Sequence, residues 1–101
     1  SEDGDDQALL ADADYTAGRA ALKAGAFAAA LGRYQSALKR FPDAADVHNE
    51  LGFTHRKLRQ MDKAFEHYKR ALALKPTLQG VPHVEILRKA IAEHRAQGKA
   101  R

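Results

Sequence analysis

When the chain is slid along itself by 34 residues, identities fall into register, among them Gly52 on Gly18, Ala64 on Ala30, Tyr68 on Tyr34, Ala71 on Ala37, Leu72 on Leu38 and Pro76 on Pro42. A unit of that length, broken by a polar stretch into two helix-length halves, is the period of helix-turn-helix repeats that stack on their neighbours. The chain therefore reads as two copies of one hairpin, about 11–44 and about 45–78, rather than as one irregular bundle.

Within each copy the apolar residues keep helical spacing. Leu10, Ala13, Ala17 and Ala21 form a stripe that predicts a helix starting near Gln7, capped by Asp5 or Asp6 and closed at Gly25. Ala30, Leu31, Tyr34, Ala37, Leu38 and Phe41 mark the inner side of the second helix, which stops where Phe41 precedes Pro42. Asp43 or Asp46 is placed to cap the third helix, with Val47, Leu51, His55 and Leu58 inward, and Asp62 to cap the fourth. Glycine inside a helix costs about 1 kcal/mol against alanine, so Gly18 and Gly52 imply close helix contact, with Ala30 and Ala64 as the expected partners. Gly80-Val81-Pro82 opens a fifth helix, about 81–97, whose narrow stripe of Val84, Leu87 and Ile91 suits a cap over the exposed end of the stack.

Leu51-Gly52, Ala64, Tyr68, Ala71 and Pro76 resemble the tetratricopeptide repeat (TPR) pattern. The resemblance implies an all-α, right-handed α-solenoid of two TPR hairpins with a C-terminal capping helix, acting as a non-catalytic protein-interaction module or assembly scaffold. The first unit departs from the pattern, with Asp14 where the family often has tryptophan and Ala17 and Ala21 in place of leucine and tyrosine. In the second, His48 and His55 replace large aromatics, and Arg59 stands where Gly25 closes the first helix of unit one. Glu50 occupies the place of an asparagine in the carboxylate clamp of chaperone-binding relatives, so a chaperone tail is not the expected ligand.

In such stacks the first helix of each unit lines the concave side. That places Tyr15, Arg19 and Lys23 beside Asn49, Phe53, Arg56 and Lys57, a groove of aromatics, cations and an amide suited to a peptide or partner helix with acidic groups. A second copy of the chain is another partner left open. Charge is unevenly spread: residues 1–14 hold six acids and no base, whereas 15–101 hold all 17 Lys and Arg against seven acids. Residues 1–6 are expected as an acidic, flexible lead-in, residues 1–14 as a candidate occupant of the groove of their own or a neighbouring molecule, and 98–101 as a basic tail. The basic body also supports an alternative, a nucleic-acid-binding or RNA-associated helical accessory protein. Against it, no basic run exceeds two residues and no aromatic-studded strand platform can be drawn.

Cysteine is absent, which removes disulfides and cysteine-containing zinc sites and leaves the redox compartment open. No run approaches 18 apolar residues, so no membrane span is expected. His48 and His55 are about 10 Å apart along one helix, too far to share an ion, and no histidine pair on a single helix has ligand spacing; no metal or cofactor is expected. No Ser-His-Asp order, inward carboxylate pair or phosphate loop is present, and no enzymatic activity is expected.

Overall fold

In the computed structural model the described residues are 2–81, 89, 92–93 and 95–98. They contain five complete helices, α1 (Glu2–Leu10), α2 (Ala13–Lys23), α3 (Phe27–Arg40), α4 (Ala45–Lys57) and α5 (Met61–Leu74), and no strand. α2 packs on α3 and α4 on α5, and α3 packs against α4, so the two hairpins join through the second helix of one and the first of the next.

The stripe expected to form one helix from Gln7 is divided in two. Asp12 adopts an extended conformation and its Oδ1 accepts from the Tyr15 amide at 3.0 Å, so it caps α2 and ends the continuity with α1. The interruption resets the helical phase. Leu9 is 4% exposed and joins the core, whereas Leu10, expected inside, is 60% exposed. Glu2 to Asp6, expected as a lead-in, fall within α1.

Two other expected caps are also corrected. α4 starts after Ala44 and α5 after Gln60, neither with a side-chain cap; Asp46 and Asp62 lie in the first turns, where they meet the helix dipole without closing a hydrogen bond to it. Asp43 pairs instead with Arg70 at 3.1 Å. Phe41 and Lys75, each preceding a proline, leave helical geometry as the sequence requires.

Both hairpin turns close in the same way. Ala26 N–H reaches Ala21 O and Gly25 N–H reaches Leu22 O; in the second hairpin Gln60 N–H reaches His55 O and Arg59 N–H reaches Arg56 O. This paired closure needs a left-handed residue. Gly25 supplies it at φ 75°, and Arg59 is forced to φ 61°.

The glycines inside α2 and α4 accommodate tyrosine rings rather than the alanines expected to approach them. A β-carbon on Gly18 would stand 2.8 Å from Tyr34 Cε1, and one on Gly52 would stand 2.6 Å from Tyr68 Cδ1. Each ring thus lies flat against bare backbone, and Tyr34 and Tyr68 are the largest fully buried side chains. Tyr34, Ala30, Ala37, Val47, Leu51, Tyr15 and Leu9 form the larger core; Ala64 and Tyr68 form a smaller one with Phe53, Met61, Phe65 and Val81 against it.

After α5 the chain turns back onto α4, where Asn49 Nδ2 donates to Gly80 O at 2.9 Å. Of the expected capping helix, residues 82–88, 90, 91 and 94 lie outside the described residues, as do 99–101 of the expected basic tail. Residues 89, 92–93 and 95–98 are helical, and Arg95 pairs with Asp62 at 3.3 Å.

Candidate functional site

The seven residues expected to line a groove fall into two groups. On α2, Tyr15, Arg19 and Lys23 border one groove of about 310 Å³ together with Leu10, Thr16 and Ala20. Tyr15 is not a free anchor: it is 7% exposed, and its ring centre lies 6.0 Å from that of Tyr34. Burial, then the nearby charge of Glu50, raises its phenol pKa. The Arg19 guanidinium stands 5.8 Å over the Tyr15 ring and Lys23 is exposed one turn on. The apolar handle is Leu10, which follows from the phase reset at Asp12 and which the helical stripe alone assigns to the wrong side.

On α4, Asn49 is engaged by Gly80 O and Phe53 packs on the Ala64–Tyr68 core. Arg56 and Lys57 both sit over the Phe53 ring, at 5.3 Å and 5.4 Å. These four make a cationic patch around a partly buried aromatic, outside the lining of the α2 groove.

The acids at the start of α2 face α3. Arg40 binds Asp12 through Nε (2.7 Å) and Nη2 (3.0 Å) and Asp14 at 2.6 Å, while Arg33 reaches Asp14 at 3.1 Å. The arginine hydrogen bonds hold both carboxyls below their usual range. Asp12 and Asp14 are therefore not available to occupy the groove.

Three histidines come together across the second hairpin, a cluster that spacing within single helices does not reveal. His48 Nε2–H donates to Pro42 O at 2.8 Å, which leaves Nδ1 to accept from His67 Nδ1–H at 3.1 Å; His55 Nδ1–H donates to Gln60 Oε1 at 2.7 Å. The His55 and His67 rings stack, 5.3 Å between centres and 8° from parallel. Burial, then the neighbouring imidazoles, pushes His67 down to about 4. Among the described residues no group of three or more His, Cys, Asp or Glu is arranged to hold a metal ion, and parallel rings direct their in-plane lone pairs side by side rather than at one point.

Residues 15–78 match the family model for the tetratricopeptide repeat. The chain belongs to that family. TPR units generally mediate protein–protein interaction and are typically non-catalytic. A comparison with curated proteins gave no match. Among the described residues no helix is long and apolar enough to cross a membrane.

Proposed function

We propose that the two TPR hairpins stack as a right-handed solenoid and act as a non-catalytic scaffold that takes an acidic peptide or partner helix along α2. The observation that carries this reading is the composition of the α2 groove. It offers an exposed leucine, the edge of a tyrosine and two cations, with no acid among its lining residues. Such a surface pairs an apolar contact with carboxylate recognition by Arg19 and Lys23. The α4 patch of Arg56, Lys57 and Phe53 extends the same chemistry into the second repeat.

Peptides alternating leucine with glutamate, titrated against the wild-type chain and against Arg19→Glu/Lys23→Glu, test the assignment. Reversal of the two charges abolishes binding if the groove is the site. A single-stranded oligonucleotide that binds more tightly than the acidic peptide, without sequence preference and with steep salt dependence, would transfer the chain to the nucleic-acid class.

A further inference from the structure

α1 and the α2 groove carry opposite charge and share one residue. α1 holds Glu2, Asp3, Asp5 and Asp6 with no base, and it ends at Leu10, which borders the groove and is 60% exposed. The groove presents Arg19 and Lys23, and neither is ion-paired with a described residue. The acids on either side of Leu10 face elsewhere. Asp12 and Asp14 bind arginines of α3, and Asp6 borders a separate cavity of about 300 Å³ with Phe41 and Pro42. Leu9, seated in the core, holds the end of α1 where it is.

The groove also suits a helix. Thr16 and Ala20, one turn apart on the exposed side of α2, are small, so a second helix can approach closely, while Leu10 and the edge of Tyr15 give the contact an apolar end. α2 spans about 16 Å over its 11 residues, with Leu10 at one end of the groove and Lys23 at the other. A second copy laid antiparallel along α2 therefore brings its own α1 to the Arg19–Lys23 end, and the same contact is made in reverse at the opposite end. Such a pairing is closed and two-fold, one patch set against itself. Each Leu10 then meets the small residues of the facing helix, and each acidic α1 meets two cations.

We propose that the occupant of the α2 groove is α1 of a second copy of this chain, in a reciprocal dimer held by Leu10 and by ion pairs from the α1 acids to Arg19 and Lys23. This rests on the acidic-partner reading above and names the partner. Two short helices bury less than the roughly 1,200 Å² at which standard interfaces begin, so the dimer is weak and transient. Its ion pairs lie at the surface and are screened by salt. A foreign acidic peptide competes with the second copy for the same groove, and self-pairing sets the threshold that such a peptide has to overcome.

Analytical ultracentrifugation of the chain from low micromolar to about 500 μM tests the pairing. At low salt the wild type passes from monomer to dimer over that range, and added salt moves the transition to higher concentration. Arg19→Glu/Lys23→Glu and Asp5→Lys/Asp6→Lys, each checked for helical content, weaken self-association by about tenfold or more, because each sets like charges together. Leu10→Gln, a surface change that leaves the fold intact, weakens it as well. Mixed in equal amounts, the two charge-reversed variants pair again, since the acidic α1 of one meets the unchanged cations of the other and the new lysines meet the new glutamates. No recovery in that mixture overturns the reciprocal arrangement. A wild type that stays monomeric throughout but binds the leucine–glutamate peptide overturns the second copy as occupant and leaves the groove standing; one that neither pairs nor binds overturns both. A dimer that persists in all three variants, or that takes up the peptide without dissociating, overturns the proposal by placing the contact on another face.

Discussion

The first and second hairpins share their glycine-against-tyrosine framework in register and differ in how each is fastened. In the first, two acids at the start of α2 bind two arginines of α3 on the surface, the turn closes on glycine, and the buried tyrosine hydroxyl is satisfied by Glu50. In the second, three imidazoles meet across α4 and α5, the turn closes on a strained arginine, and the tyrosine hydroxyl is left unpaired. The repeat thus conserves steric relations, small residue against ring, while polar relations are remade in each copy. Stability is then expected to divide unevenly, with the first hairpin fully satisfied and the second holding the unmet donors.

The largest effect tests what the copies share. Gly52→Ala drives a β-carbon into an immobile ring, and overpacking of this kind costs about 1–3 kcal/mol, which outweighs the gain of about 1 kcal/mol from helix propensity. Denaturant unfolding should show a net loss for Gly52→Ala and a similar, slightly smaller loss for Gly18→Ala. Gly32 lies in α3 with open space around it, so Gly32→Ala should stabilise by about 1 kcal/mol. Neutral behaviour of Gly52→Ala would mean that the ring has room to slide.

The next effect separates the hairpins by pH. His67 has a folded pKa lowered from 6.5 to about 4, so its neutral form contributes stability that is complete above pH 6.5 and is lost as pH falls toward 4. Chemical denaturation across that window should show a decline that His67→Gln flattens. The Asp12–Asp14–Arg40 network also weakens as its carboxylates protonate, but at lower pH, because both acids are shifted downward. Loss of stability with the same midpoint in wild type and His67→Gln would remove the histidine cluster from this role.

How much of this was legible in the sequence depends on whether a relation lies within one helix or between two. The period of 34, the proline stops and the left-handed place at Arg59 all follow from local rules, and each has its expected conformation. Gly18 and Gly52 were legible as close contacts, but only the packed structure identifies Tyr34 and Tyr68 as what approaches them. Leu10 was assigned to the wrong face because an apolar stripe carries no record of a phase change, although Asp12, directly before Ala13, is the signal that marks one. The histidine cluster was hidden for the same reason: His48 and His55 share a helix, but His67 comes from the other one.

A smaller effect bears on the hydroxyls. Tyr34→Phe should cost about 1 kcal/mol, the net value of a hydrogen bond, whereas Tyr68→Phe should be neutral or stabilising because it removes a buried donor with no acceptor. Equal losses in thermal unfolding would erase the distinction between the copies. The smallest effect concerns the turn: relief of left-handed strain makes Arg59→Gly stabilising by about 1 kcal/mol, while Gly25→Ala should be destabilising by a similar amount. A lowered Tm for Arg59→Gly would show that the arginine side chain contributes more than its backbone costs.

The way α2 is fastened has a kinetic consequence. Its first turn is held by the Asp12 cap and by arginines from α3, and its last turn is closed by the Gly25 hydrogen bonds, so both ends of the proposed docking helix are fixed before any partner arrives. A preformed surface loses little conformational entropy on association. Encounter should then be governed by long-range attraction between Arg19, Lys23 and an acidic partner, with association rates that fall as salt is added and dissociation rates that hardly change. Amide exchange along α2 should be slow already in the free protein and nearly the same in the complex.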